Sequence, residues 1–387
     1  MAGLYIHIPF CRSKCAYCDF YSMPLKAPAL AAAYCDALVE EFRLRHRETR
    51  EPFSTIYTGG GTPTALPGDL LPGLLGRIRE LVETHNEEVA SRGGMAVVDE
   101  FTVEANPEDI TPEGLSRLRG CGVDRISIGI QAFDAAQLAE ISRLHTPDAS
   151  MSALTVLRDS GINYSADLIY GLPGQSCESW RLQLDALLAF RPPHFSAYLL
   201  SYEPGTRLYA RLQKGEVTEA DETLATDMYH LLADAGRHHG YRHYEISNFA
   251  LPGLEARHNS SYWNLTPYLG LGCSAHSFDG FYRRYNPADM REYLRRIKTG
   301  VSASVTEEEN EINRVNDYII TSLRTAAGLS APLVGRRWGT EFLERLMTNI
   351  APAIASGHVI RRGESFIIPE RHWLTADAIL REIILEG

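Results

Sequence analysis

The sequence predicts an α/β fold: an open, partial (β/α)6 barrel followed by a C-terminal, mostly helical, winged-helix-like domain. Three observations predict it. From residue 3 to residue 202, short runs rich in Val, Ile, Tyr and Phe alternate with helical patterns. Strand alternating with helix implies a parallel sheet with right-handed crossovers. There are six such units, and a closed barrel of this type takes eight. An open doubly wound sheet is the other arrangement the pattern allows.

The expected strands are LYIHIPF, STIYTGG, EFTVEAN, RISIGIQ, SADLIYG and FSAYLLS. Between them lie helical stretches such as ALAAAYCDALVEEFRLR, LLPGLLGRIRELVETH and ESWRLQLDALLAF. After Pro204 the pattern changes. A helix is expected over ADETLATDMYHLLADAG, then a loop-rich region from Tyr244 to Asn286, then a helical bundle from about Glu307. HVIRRGESFIIPE reads as a hairpin and TADAILREIIL as a last helix, which together resemble a winged helix. The expected division is a barrel over 1–215, a connecting region over 216–300 and a C-terminal domain over 301–387.

Composition bounds the function. The chain has 387 residues, 44% of them hydrophobic and 22% charged, as in ordinary globular proteins. Its net charge of -11 argues against nucleic acid as a partner and gives the winged-helix-like end a packing role. The basic run RLRHRETR, Arg43 to Arg50, reads as the solvated end of a helix. No stretch reaches the ~18 apolar residues of a membrane span. The opening MAGLYIHIPF lacks the features of an export signal, so a cytoplasmic location is expected. Seven cysteines in that setting suggest metal binding rather than disulfides. Cys35, Cys121, Cys177 and Cys273 are scattered and read as buried small hydrophobes.

Chemistry in such folds gathers at the carboxyl ends of the strands. Cys11, Cys15 and Cys18 follow the first strand, and TGGGTPT follows the second. Glu104, Gln131 and Asp167 fall at or near the ends of the next three. Zinc would need a fourth ligand, which His7 would have to supply from within a strand. A four-iron cluster held by three thiolates keeps one iron open for a small molecule. The spacing C-x3-C-x2-C favours the cluster. Glycines after a strand allow a ligand to approach the backbone closely. By itself, GGGTP would be a plain tight turn.

CRSKCAYC, with GGGTPT, VEANP, SIGIQAF and DLIYGLPGQ, resembles the radical S-adenosylmethionine (SAM) superfamily, in its branch around the oxygen-independent coproporphyrinogen III dehydrogenases. The resemblance covers most of the chain. It implies a [4Fe-4S] cluster on Cys11, Cys15 and Cys18, with SAM chelating the open iron. An electron from the cluster would cleave the sulfonium and give a 5'-deoxyadenosyl radical. It places Tyr5, Gly60, Gly61, Thr62, Glu104, Gln131, Arg143 and Asp167 around the nucleotide. Asp167 and Gln131 suit ribose hydroxyls, and Arg143 suits a carboxylate.

Two departures separate this chain from the dehydrogenases. They carry a fourth cysteine two places after the third, where Phe20 stands here, and an N-terminal extension where only four residues precede Tyr5. Both departures resemble the HemW group of haem chaperones. HNSSYW, His258 to Trp263, fits that group's H-N-x-x-Y-W pattern. A neutral imidazole is a common haem ligand, and Tyr262 and Trp263 suit a flat macrocycle. His258 is therefore the expected iron ligand. His276 in GLGCSAHS is the rival, and Cys273 is read as a small buried side chain instead. The leading expectation is a haem chaperone that serves haem-requiring proteins, with membrane respiratory enzymes as candidate acceptors and a homodimer as one allowed assembly. The alternative is radical oxidative decarboxylation of coproporphyrinogen III.

Overall fold

In the computed structural model, which describes residues 1–90 and 97–386, six strands run parallel in chain order. They are β1 (Ala2–Ile8), β2 (Phe53–Gly60), β3 (Glu100–Ala105), β4 (Arg125–Gln131), β5 (Asn163–Tyr170) and β6 (His194–Leu199). Helices Pro28–Arg45, Leu70–Ala90, Pro112–Gly120, Pro147–Ser160 and Cys177–Leu188 form the crossovers. The expected α/β class and all six expected strands are present.

Side-chain alternation along the strands explains the layering. In β4, Ile126, Ile128 and Ile130 alternate with Arg125, Ser127, Gly129 and Gln131. Ile126 and Ile128 join Leu4, Ile6, Ile8 and Ile56 in one apolar core with Leu38, Leu74 and Ile78 of the covering helices. Each such side chain contributes roughly 1.5–3 kcal/mol by leaving water. The opposite face carries Glu104, Ser127, Ser165, Asp167 and Ser196, so the inside of the partial barrel is polar.

The region expected to be loop-rich keeps its loops, but it also carries short strands that extend the sheet. β7 (Arg242–Glu245) and β8 (Asn248–Ala250) extend the sheet antiparallel beyond β6. β9 (Tyr268–Leu271) pairs parallel with β1 on the other side. β10 (His276–Phe278), β11 (Arg283–Tyr285) and β12 (Val305–Thr306) follow antiparallel. Among the described residues, the result is a twelve-stranded sheet whose two end strands do not pair, so the barrel is open.

The basic run at Arg43 needs a second correction. Arg43 is exposed, but Arg45 is only 1% exposed. Its guanidinium pairs with Glu41 (2.7 Å) and Glu48 (2.9 Å) and donates to the Gly270 carbonyl (3.0 Å) and Ser277 Oγ (3.1 Å). Glu41 also accepts from Gly272 N–H, Asn286 Nδ2 and Tyr293 Oη, each at 2.7 Å. This buried network ties the first helix to β9 and β10. The sequence shows the charges but not the strands that come to meet them. Among the other cysteines, Cys35 and Cys273 are buried as expected, whereas Cys121 and Cys177 are only half-buried.

The C-terminal part runs helix Glu311–Leu323, strand Leu329–Ser330, helices Ala331–Trp338 and Thr340–Ala355, then strands Ile360–Arg362 and Ser365–Ile367. Its three strands form an antiparallel sheet with Ser365–Ile367 in the centre. That order matches the winged-helix-like expectation. Among the described residues, no helix is long and apolar enough to cross a membrane.

Candidate cofactor site at the barrel mouth

A cleft of about 460 Å³ opens at the carboxyl ends of the strands. Cys11, Cys15 and Cys18 line it together with Gly60, Gly61, Thr62, Glu104, Gln131, Arg143 and Asp167. Of the residues expected around the nucleotide, only Tyr5 does not line it. Tyr5 Oη lies 3.0 Å from His7 Nδ1, and its ring stacks on Tyr57, with centroids 6.2 Å apart. Tyr57 lines the cleft in its place.

The cysteine loop is held from several sides. The Thr62 hydroxyl donates toward Cys11 Sγ (3.8 Å), and Arg143 Nη1 donates to Cys15 Sγ (3.5 Å). Arg143 Nη2 also donates to Asn106 Oδ1 (2.7 Å) and the Gly129 carbonyl (2.6 Å). A Cβ on Gly61 would fall 2.7 Å from the Ile8 carbonyl and 3.0 Å from Cys11 Sγ. Gly60 has φ +106°, and a Cβ there would fall 2.4 Å from the His7 ring. The glycines therefore let the second strand's turn press against the cysteine segment. Gln131 has φ +66°, a left-handed conformation that costs a non-glycine residue roughly 1–2 kcal/mol. It ends β4 at the cleft.

Electrostatics mark the same place. Burial pushes the Glu104 carboxyl up to about 7, against the hydrogen bonds it accepts from Tyr57 Oη (2.7 Å) and Gly60 N–H (3.0 Å). Burial also raises Asp167, opposed by the Ser196 and Ser127 hydroxyls, the Arg125 charge and the Ser165 hydroxyl. Burial pushes the Cys11 thiol up to about 11 in the absence of metal, and an iron ligand would be deprotonated regardless. Among the described residues, no three of His, Cys, Asp and Glu close on a single-ion position. Cys11, Cys15 and Cys18 meet at one cleft, and a four-iron cluster would take each thiolate on a separate iron.

The HNSSYW motif forms the helix Arg257–Trp263. The buried Glu100 carboxylate at the start of β3 accepts from the N–H groups of Arg257 and His258, both at 2.9 Å, and fixes the helix N-terminus to the barrel. His258 is 0% exposed. Its Nδ1 lies 2.8 Å from Thr55 Oγ1, its Nε2 lies 2.8 Å from Tyr262 Oη, and its ring stacks on Tyr57. Burial, then the nearby Arg125 charge, depresses it to about 3. It is a neutral imidazole, as expected, but neither nitrogen is open, so in this conformation it offers iron no donor. Trp263 and Tyr262 do line a cleft of about 550 Å³, with Tyr268, Phe278 and Arg283. Tyr198 and Asn259 form walls of both clefts. His276 is 56% exposed.

Sequence reading missed Tyr57, Asn106, Ser127 and Ser196. Strand alternation could have found Ser127, Ser165 and Ser196, which face the same way as Asp167. Asn106, the first residue beyond β3 and part of VEANP, was available by the rule that placed Gln131.

A partial α/β barrel with three cysteines beside its carboxyl-end cleft defines a radical SAM protein. The model of the radical SAM superfamily matches residues 5–183. The curated haem chaperone HemW of Bacillus subtilis (strain 168) is 32% identical over 95% of this chain and 94% of its own length. That of Lactococcus lactis subsp. lactis (strain IL1403) is 35% identical over 84% of this chain and 82% of its own. The coproporphyrinogen III oxidase HemN from Escherichia coli, a radical SAM enzyme, shares the fold with a TM-score of 0.80 at 22% identity, over 99% of this chain and 90% of that one. The chain belongs to the HemW family of the radical SAM superfamily. Membership brings a [4Fe-4S] cluster and SAM as cofactors.

Proposed function

We propose that this chain is a haem chaperone that keeps a cluster and SAM in the barrel cleft and binds haem in the adjoining cleft beside HNSSYW. Residues 1–215 would carry the cofactor site, 216–300 the motif helix, and 301–387 the winged-helix-like end. The observation that carries this reading is the shared wall. Asn259, the second residue of the motif, faces both clefts, so a macrocycle beside Trp263 would sit next to the radical-type site. The relatives named HemW support the same reading.

For the iron, His276 is the proposed ligand, an exposed imidazole whose Nδ1 lies 4.0 Å from Glu307 Oε1. It lies two residues before Phe278 on β10, on the same strand face and about 7 Å away along the strand. Phe278 lines the Trp263 cleft. Haem-requiring proteins, with membrane respiratory enzymes among them, are the proposed acceptors, and the cytoplasm the proposed location. A homodimer is the proposed assembly.

Phe20 at the fourth-cysteine place speaks against the decarboxylase alternative. The test is an anaerobic assay of the cluster-reconstituted protein with coproporphyrinogen III and SAM. No protoporphyrinogen is expected. Turnover of ~1 per second or more, typical of enzymes, would overturn the chaperone reading.

A further inference from the structure

Deep in the barrel, below the cofactor site, lies a buried cation that no carboxylate contacts directly, although its charge is felt by Asp167. Arg125 begins β4, whose interior face continues through Ser127 and Gly129 to Gln131 at the mouth. It is 2% exposed and lines the barrel cleft. Its Nε and Nη2 are sealed from solvent and have no hydrogen-bond partner. No carboxylate among the described residues lies within ion-pair distance of it, in contrast to Arg45, which is saturated. Gly129 and Arg125 are four residues apart, or about 13 Å at the strand rise. The amino-acid end of a SAM held at Arg143 would stay at the mouth.

The surroundings of Arg125 are short of partners too. The register places Thr102 of β3 and Asn163 of β5 on either side of it. Thr102 Oγ1 and Asn163 Oδ1 are likewise buried without a partner. The Arg125 charge is felt by the histidines around it. His194 and His258 are both held neutral by burial and then by Arg125 itself. A buried charge without compensation is costly, and proteins keep one where something supplies the missing partner. A guanidinium fork matches a carboxylate.

We propose that Arg125, with the Thr102 hydroxyl beside it, forms a carboxylate-binding site at the floor of the barrel, separate from the position of the SAM carboxylate. The ligand is a carboxylate on a slender arm, because it must pass the mouth and reach down the barrel. Such an arm belongs equally to a free short-chain acid and to a propionate of a tetrapyrrole. The site itself does not depend on the haem reading.

The test compares the full-length, cluster-reconstituted protein with Arg125→Gln. Sodium propionate is titrated while the melting temperature and the line width of [1-13C]propionate are followed. Propionate should raise the melting temperature and broaden the resonance of the wild type only. In parallel, haem and haem dimethyl ester are titrated into both proteins. If the propionate arm of a tetrapyrrole is the ligand, Arg125→Gln weakens haem at least tenfold and leaves the ester unchanged. If a free acid is the ligand, both haem forms bind the two proteins alike and only the propionate response is lost. Equal propionate responses in the two proteins, with equal haem affinities, would overturn the site. Arg125→Lys keeps the charge without the fork, and it should retain part of the propionate response if charge is the attraction. Arg125→Gln should fold, since no ion pair is broken.

Discussion

His258 Nε2 lies 2.8 Å from Tyr262 Oη, one helical turn away in the same motif, and this contact engages the imidazole within the helix. The opposite nitrogen is held by Thr55 of β2, and the ring lies against Tyr57, which in turn donates to Glu104. The motif histidine is thus a structural link between the haem-side helix and the cofactor cleft.

That link sets the first prediction. His258→Ala leaves the Tyr262 hydroxyl and Thr55 without their shared partner and opens a cavity under Tyr57. A loss of about 2–4 kcal/mol is expected, from the unsatisfied hydrogen bonds and the void together. His276→Ala, at an exposed position, should leave the melting temperature within a degree or two. Thermal melts of both variants check this. A His258→Ala protein as stable as the wild type would show that the histidine is not part of the framework.

The cluster assignment gives the second. Replacing Cys11, Cys15 or Cys18 by Ala should abolish the iron–sulfur absorption of the reconstituted protein, because two thiolates remain. Cys35→Ala and Cys121→Ala should keep it. Arg143→Ala removes the donor to Cys15 Sγ, so its cluster should form but with an altered spectrum or lower yield. Loss of absorption in the Cys35 or Cys121 variants to the same degree would contradict the ligand set.

The buried ion-pair network is the subject of the third. Arg45→Met leaves Glu41 sealed in the interior without its cation and should cost about 3–5 kcal/mol. The double variant Glu41→Met/Arg45→Met should recover much of that loss. Denaturant midpoints measured on the single and double variants decide it. Additive losses would mean that the two residues do not act as a pair.

Glu104 supplies a pH dependence. Its folded-state carboxyl titrates at about 7 against an ordinary 4.5, with burial as the leading cause and Asp167 adding to it. Between those values the folded protein holds a proton that the unfolded chain has lost. This contribution to stability therefore falls as pH rises from about 4.5 to 7, and the cost is fully present above 7. Glu245 is shifted up to about 7 in the same direction, while His258 is depressed and opposes the trend in acid. The difference between wild type and Glu104→Gln isolates the term. The variant should gain stability relative to the wild type between pH 5 and pH 8. A difference that stays constant over that range would refute the raised carboxyl.

The barrel was legible because each parallel strand alternates within itself and turn residues bound it. RISIGIQ shows both its faces in seven residues, and β4 occupies those residues. The added strands were not legible for the opposite reason. Those of β8 and β10 are three residues long, and β9, four long, carries Gly270 among its residues. They are strands because the edges of the barrel sheet supply their partners. Arg45 was misread for the same cause, since its burial depends on β9 and β10. The cofactor residues were legible as strand-end positions, but the direction in which Tyr5 and Tyr57 point is fixed by packing. The unpaired Arg125 was invisible, because RISIGIQ shows a charge without showing that no acid reaches it.

Haem in the cleft beside HNSSYW is checked by haem titration of the anaerobically reconstituted protein, followed at the Soret band. Wild type should bind haem at one equivalent per chain. Trp263→Ala should bind it more weakly, and His276→Ala should lose or shift the band at neutral pH. A folded, cluster-bearing wild-type protein that gives no saturable Soret change, or Trp263 and His276 variants that both match the wild type, would contradict it.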